Sequence, residues 1–306
     1  MMPPRPGPLR QRPTARQLAI RRAAALAVLL GAAAVVAALV AWATGTFDAG
    51  KQAAKPVTNP LGLQKPFRIV FPEGFTRQEM AERIVAVDQI AHQKRGVTPV
   101  LSRKQYLALT KSSALPSTYA HDKKRRSLEG FLFPATYDFT ARTTSSDLVA
   151  NQLVAFRKNW KKLNLRYSKS KNLTPFDVLT IAAMVERETL APDERPLVAA
   201  VIYNRLHAHM PLGIDATLRY GLHIPATKSI RQSDLDSNNP YNTRKFPGLP
   251  PGPIGNPGLA SMQAAAHPAR VKYLYFVRKP DRVHHFFTAS AAEFNAYATA
   301  HGFTPH

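Results

Sequence analysis

The side chain best suited to acid–base chemistry in this sequence is the carboxyl of Glu188. Ile181, Met184, Val185 and Glu188 follow one another at i, i+3, i+4 and i+7, so a helix would place all four on one face. A carboxyl among apolar neighbours loses hydration of its charged form, which raises its pKa. Such a group can still hold a proton near neutral pH and act as a general acid. The spacing alone is equally compatible with a surface charge paired to a nearby arginine.

No second carboxylate is placed by the sequence to work with Glu188. Glu186 lies about 200° away around the same helix, and we expect it to be an ordinary surface charge that faces elsewhere. Asp193 and Glu194 follow a proline and are typical of the acidic first turn of a next helix. Asp215 is the better candidate for a partner, although sequence does not give its distance from Glu188. The acid–nucleophile pair of most glycosidases is therefore not evident.

Other catalytic chemistries find little support in the residue types present. The 306 residues include no Cys, which excludes disulfides, cysteine zinc sites and thiol catalysis. The histidines at 207, 209, 284 and 285 lack matching ligands on one helix face, so we expect structural or surface histidines and no metal site. Phosphate-binding and dinucleotide-binding glycine motifs are absent from the sequence, as is the serine nucleophile elbow. We expect no cofactor.

The elements that must position these residues are marked by strong local signals. Thr174, Pro175 and Asp177 predict the start of the helix that carries Glu188, which must stop before Pro192. A strand at 67–71, a turn and a helix capped by Thr76 predict a small β-turn-α unit, followed by an amphipathic stretch at 102–109. The loop at 246–258 is rich in Pro and Gly, yet its place between apolar segments favours an ordered conformation.

The first 65 residues predict that the protein is attached to a membrane. Residues 1–22 contain six arginines and no acid, and residues 23–43 carry no charge. As a helix the uncharged run spans about 31 Å, enough for the roughly 30 Å of bilayer hydrocarbon. The arginines should stay in the cytoplasm and place the rest of the chain outside. A cleaved signal peptide ending near Ala43 and a buried core helix are the alternatives, and residues 44–65 are predicted to be a linker.

The charge of the chain indicates an anionic partner. The formal net charge is +23, and most of it belongs to the predicted exported part. Residues 123–126 (KKRR) form one basic cluster, and residues 157–171 form a second with seven Lys or Arg. Each is either a solvated surface or a contact for lipid headgroups or an anionic polymer. Outside the cytoplasm we expect inner-membrane lipid and cell-wall polymer as partners, and no nucleic acid.

Six strings in the chain resemble the endolytic murein transglycosylases of the MltG (YceG-like) family. In chain order they are residues 128–137 (LEGFLFPATY), 185–189 (VERET), 203–206 (YNRL), 240–243 (PYNT), 248–254 (GLPPGPI) and 273–277 (YLYFV). Their order and spacing agree over about residues 66–290. The resemblance implies a membrane-anchored enzyme that cuts nascent peptidoglycan glycan strands internally, limits their elongation and possesses a LysM-like module ahead of its catalytic domain.

The resemblance also implies site residues. The family's catalytic glutamate precedes a threonine, which makes it Glu188 here. The string at 212–217 (LGIDAT) resembles the family's Leu-Gln-x-Asp-Pro-Thr and departs from it at Gly213 and Ala216. Candidate sugar-holding residues are Asp215, Thr217, Tyr241, Asn242 and Thr243. His284 and Phe286 match a His-x-Phe motif, to which no role is assigned.

The predicted architecture is α+β with a single N-terminal transmembrane helix. It consists of a basic tail (1–22), an anchor (23–43), a linker (44–65), a small LysM-like β/α module (66–125) and an α+β catalytic domain (126–306). The predicted reaction breaks the MurNAc–GlcNAc bond and forms 1,6-anhydro-MurNAc, with peptidoglycan synthases as candidate partners. A non-catalytic peptidoglycan-binding scaffold and an anchored protein that binds DNA or anionic lipid are the alternatives.

Overall fold

The computed structural model of the chain describes residues 66–114, 118–119 and 124–302. The predicted basic tail, anchor and linker (1–65) lie outside the described residues. Within the described ranges, no helix combines the length and the apolar character needed to cross a membrane.

The described residues fold as a mixed α+β structure, as predicted. The helices are Arg77–Arg95 (α1), Arg103–Lys111 (α2), Ser145–Trp160 (α3), Arg166–Ser170 (α4), Pro175–Glu188 (α5), Arg195–His207 (α6), Asp215–Leu222 (α7), Gln232–Leu235 (α8), Leu259–Ala266 (α9) and Ala291–Ala300 (α10), with a single 3₁₀ turn at Pro192–Glu194. The strands are Phe67–Val70 (β1), Ser113–Ala114 (β2), Arg125–Arg126 (β3), Thr136–Phe139 (β4), Tyr275–Arg278 (β5) and His285–Thr288 (β6).

The strands pair in three short antiparallel ladders. Strand β1 pairs with β4, β2 with β3, and β5 with β6. The β1–β4 ladder, with Phe67 opposite Phe139, crosses the predicted boundary between residues 125 and 126. That boundary and the LysM-like character of residues 66–125 stay predictions.

The predicted β-turn-α unit is confirmed, because Thr76 accepts a hydrogen bond from the Glu79 N–H and its own N–H donates to the Glu79 carboxylate.

Helix α5 runs through the centre of the core. All of its residues from 178 to 185 are buried, so the apolar surface is wider than the single stripe that the sequence indicated. Helices α6, α7 and α9 pack against it. Its predicted start is confirmed: Thr174 Oγ1 accepts from the Asp177 N–H at 3.1 Å, and the Thr174 N–H donates to the Asp177 carboxylate at 2.8 Å. The helix ends at Glu188, before Pro192 as expected.

The Pro- and Gly-rich loop is ordered, as predicted, and residues 252–258 are buried. Asn256 ties this loop to two other segments. Its side-chain N–H₂ donates to the Glu129 carboxylate and to the Phe75 carbonyl, both at 2.8 Å, while its Oδ1 accepts from the Leu132 N–H at 2.9 Å. The backbone reinforces the contact, since the Gly74 N–H donates to the Asn256 carbonyl at 2.8 Å. We call this cluster of Glu129 and Asn256 with their partners the polar knot.

The polar knot predicts a large stability loss on substitution of Asn256. Asn256→Ala removes the three side-chain hydrogen bonds and leaves the Glu129 carboxyl and the Leu132 N–H buried without that partner. We expect the free energy of unfolding to fall by about 2–4 kcal/mol, measured by thermal or urea denaturation. Gln263→Ala, on the exposed side of α9, is the control and should change stability by less than about 0.5 kcal/mol. Equal effects of the two changes would contradict the role of the knot.

Candidate active site

Glu188 is the last residue of α5, and its carboxyl lies against the first turn of α7. The backbone N–H of Ala216 donates to that carboxyl. The pKa of Glu188 is raised above its usual value, chiefly because burial disfavours the charged form and secondly because Asp215 carries a like charge nearby. Arg278, the Ala216 N–H and Arg187 act in the opposite direction and favour the carboxylate. The raised pKa expected from the helix spacing is therefore present.

Asp215 is the carboxylate that the structure brings to Glu188. It begins α7, and its half-exposed side chain is held by the guanidinium of Arg244, with Oδ1 at 2.7 Å from Nη2 and 3.1 Å from Nε. This two-point contact fixes the orientation of Asp215 and compensates its charge. The site thus contains one partly buried and one half-exposed carboxyl group, which sequence could not place together.

Three of the predicted sugar-holding residues are buried beneath this turn. Thr217, Asn242 and Thr243 are at most 2% exposed. The Thr217 and Thr243 hydroxyls lie 3.0 Å apart, and Thr243 Oγ1 accepts from the Ile214 N–H at 3.0 Å. The Asn242 amide donates to the carbonyls of residues 235 and 237. Their contacts with sugar stay predictions. Because these side chains are buried, they are better placed to support the backbone turn that carries Asp215.

Tyr241 is the remaining predicted sugar-holding residue, and it is half-buried. Its ring packs against Tyr220 with the centroids 5.0 Å apart. The Tyr220 hydroxyl donates to the Glu129 carboxylate at 3.1 Å. Tyr241 therefore packs beside the polar knot, at the opposite end of α7 from Asp215.

Arg278 enters the site from the β5–β6 hairpin and was missed by sequence reasoning. Its Nη2 donates to the Glu188 carbonyl at 3.2 Å. Arg278 lies opposite His285 in the ladder. His285 is buried, and both its N–H and its Nδ1 contact the Glu194 carboxylate, at 2.8 and 2.6 Å. Through these contacts, the hairpin is bonded both to Glu188 and to the 3₁₀ turn that follows α5. The two attachments hold Arg278 in place.

Glu186 is not the surface charge that was expected. It does face away from Glu188, but its side chain is only 6% exposed. Its Oε2 accepts from the Gly258 N–H at 2.8 Å and its Oε1 lies 3.5 Å from Arg195. The physical reason is the start of α9, whose free N–H groups attract a carboxylate. Burial, and then the nearby Glu186 charge, raise the pKa of Glu73 at the same place.

The histidines behave as structural or surface groups. His207 and His209 are exposed. His284 is exposed and its Nδ1 lies 2.9 Å from Asp281, whose hydrogen bond raises the pKa of His284. Within the described residues, no group of three or more His, Asp and Glu side chains is arranged to hold a metal ion.

A second buried carboxyl, Glu129, was not singled out from the sequence. It is 4% exposed, and burial raises its pKa to about 7, against the hydrogen bond donated by the Arg77 N–H at 3.0 Å. It borders an open cavity of about 670 Å³ between the start of α1 and the end of α7. The signal for it was an acid enclosed by the apolar string at 128–133.

Comparisons with known proteins place this arrangement in a family. The profile of the YceG-like family matches residues 18–300. The endolytic murein transglycosylase of Bacillus subtilis (strain 168) is 33% identical over 219 residues, which are 70% of this chain and 59% of that protein. The endolytic murein transglycosylase of Streptococcus pneumoniae (strain R6) is 33% identical over 227 residues, which are 68% of this chain and 40% of that protein.

The fold agrees with a solved relative. The crystal structure of a YceG-like protein from Listeria monocytogenes matches with a TM-score of 0.61 at 30% identity and covers 76% of each chain. This chain spans less than two thirds of the length of either curated relative. Because the family profile covers nearly all of the sequence, the chain belongs to the YceG-like family.

Proposed function

We propose that this protein is a lytic transglycosylase that cuts peptidoglycan glycan strands internally. The observation that carries the proposal is the partly buried carboxyl of Glu188, whose pKa is raised, at the position that the resemblance assigns to the family's catalytic glutamate. The name shared by the two curated relatives supports the same reaction class. Peptidoglycan is then the substrate.

The first step needs an acid. Glu188 donates its proton to the glycosidic oxygen between MurNAc and GlcNAc as that bond breaks, and positive charge develops at C1 of MurNAc. Burial and the Asp215 charge raise the pKa of Glu188 and so favour its protonated form before the reaction. Asp215, held in orientation by Arg244, is the candidate to stabilise the developing oxocarbenium-like centre electrostatically.

The second step needs a base, and the same residue supplies it. As a carboxylate, Glu188 accepts the proton of the MurNAc C6 hydroxyl, whose oxygen attacks C1 and closes the 1,6-anhydro ring. The Ala216 N–H and Arg278 stabilise the carboxylate between the two steps. Because the nucleophile is part of the substrate, it is already held close to C1, and no activated water is required.

The first prediction from the proposed function concerns the proton carried by Glu188. Glu188→Gln keeps the size of the side chain but removes the proton transfer, so cleavage of purified peptidoglycan should slow by about 10²–10⁴-fold. The rate is measured from the soluble fragments released over time. Glu82→Gln makes the same charge change at an exposed ion pair with Arg103 and should leave the rate unchanged.

Two outcomes would count against the catalytic role of Glu188. Retention of at least a third of the activity in Glu188→Gln would remove it from the chemistry. Loss of activity together with a lower melting temperature in Glu188→Gln would indicate a structural role. Release of no fragments by the unchanged protein, despite binding to peptidoglycan, would favour a scaffold.

The second prediction concerns the product. Fragments should end in 1,6-anhydro-MurNAc and be one water lighter than hydrolysis products, and cuts should fall within strands. Mass spectrometry of a digest run in heavy-oxygen water measures both properties. Reducing MurNAc ends that contain the label would make the enzyme a hydrolase, with Asp215 the first residue to test as its second carboxyl group.

The third prediction concerns the membrane. We propose that residues 23–43 anchor the protein in the inner membrane with residues 1–22 in the cytoplasm and the catalytic part outside, because of the flanking arginines. An anchored enzyme would meet new strands beside the synthases and limit their elongation. A fusion after residue 60 should activate an export-dependent reporter, and a fusion after residue 20 should not. Activity of the first fusion only in a cytoplasmic reporter would overturn the anchor.

A further inference from the structure

The cavity beside Glu129 is a sizeable space that the proposed chemistry does not use. Its volume of about 670 Å³ lies within the range of ligand pockets. Its lining includes polar and charged residues together with the apolar side chains of Ile224, Pro225 and Ile254. The cavity therefore suits a ligand that is partly polar and partly apolar.

Two arginines offer hydrogen-bond donors to this cavity. Arg219 donates through Nη1 to the carbonyls of Pro225 and Lys228, at 3.0 and 2.8 Å. Within the described ranges, its Nε and Nη2 make no hydrogen bond, so the guanidinium is fixed while two of its nitrogens remain available. Arg187 is held loosely, with Nη1 at 3.4 Å from the Gly74 carbonyl and 3.8 Å from Glu79.

The acids of the cavity balance these charges only in part. Glu79 is committed to the Thr76 N–H at 2.7 Å. Glu129 is buried, receives hydrogen bonds from Arg77, Tyr220 and Asn256, and has a pKa of about 7. It is therefore ionised only in part near neutral pH. With Arg187 and Arg219 on its walls, the cavity favours an anionic ligand, most readily a carboxylate in the two-point geometry of arginine.

The cavity also lies within reach of Glu188. Arg187 precedes Glu188 in the chain, and its charge acts on the Glu188 carboxyl. Asp215 and Arg219 lie one turn apart on α7. The eight residues of α7 span about 12 Å, which a peptide of a few residues covers when it is attached to a sugar at Glu188.

We propose that this cavity binds the carboxylate-bearing peptide stem of the MurNAc residue at the cleavage site, with Arg219 and Arg187 as the carboxylate contacts. The inference rests on the proposed function, since only a peptidoglycan substrate brings such a stem. It makes these two arginines substrate-binding residues, and it gives a reason for the cationic side chains that line a cavity next to the candidate site.

The test measures binding without turnover, in full-length Glu188→Gln protein. The probes are an N-acetylmuramyl tripeptide with free carboxylates and its fully amidated analogue, with affinities measured by calorimetry. The free acid should bind about 10-fold more tightly than the amide. Adding Arg219→Gln should abolish that preference, whereas Arg219→Lys, which keeps the charge, should retain most of it. Arg142→Gln removes an exposed arginine of the turn before α3, outside both basic clusters, and should change nothing.

Several results would overturn the inference. These are equal binding of acid and amide, no binding of either probe, or an equal weakening of both by Arg219→Gln. The proposed function fails separately, because it depends on cleavage of peptidoglycan by the unchanged enzyme. An acid preference that depends on Arg219 in a protein that releases no fragments would support the stem site and leave the transglycosylase assignment wrong.

Discussion

The buried contact between the Glu129 carboxyl and the Asn256 amide connects segments that are far apart in the chain. Through it, the turn before α1, the string at 128–132 and the Pro- and Gly-rich loop share one set of hydrogen bonds. A buried carboxyl of this kind is costly unless each of its oxygens has a donor. The segments must therefore meet in one geometry or leave charged and polar atoms unsatisfied, and that requirement specifies how the loop covers α5.

Helix α5 connects this arrangement to the candidate active site. It is buried along most of its length, so its last residue is carried on a rigid element, and the two elements that meet Glu188 contribute opposite charges. The start of α7 brings Asp215 and a backbone N–H, and the β5–β6 hairpin brings Arg278. The buried contact between Glu194 and His285 fixes that hairpin against the turn after α5. The described site is thus assembled by the packing of α5, α7 and the hairpin, with Arg244 from the loop after α8 holding Asp215.

The local parts of this structure were predictable, whereas the long-range contacts were not. The start and end of α5, the β-turn-α unit and the ordered loop follow from caps, prolines and apolar spacing, which act over a few residues. Glu188 was predicted as the candidate acid because its own helix determines which side chains share its face and because the string at 185–189 resembles the family's motif. Glu186 was misjudged because its partner, the Gly258 N–H, lies 72 positions away. Arg278 and Glu129 were missed for the same reason: their roles come from tertiary neighbours that spacing does not encode.

The opposing influences on Glu188 suit a reaction in which one group is acid first and base second. Burial and Asp215 alone would hold the proton so firmly that its release to the leaving sugar would become costly. Arg278 and the Ala216 N–H alone would keep the group ionised and unable to donate. With both present, each protonation state is stabilised by different neighbours. The Arg244 guanidinium partly neutralises the charge of Asp215. The Asp215 carboxylate therefore raises the pKa of Glu188 less than an unpaired carboxylate would, while it can still act on the sugar. A single, partly buried glutamate in this setting has what a two-step intramolecular transfer requires.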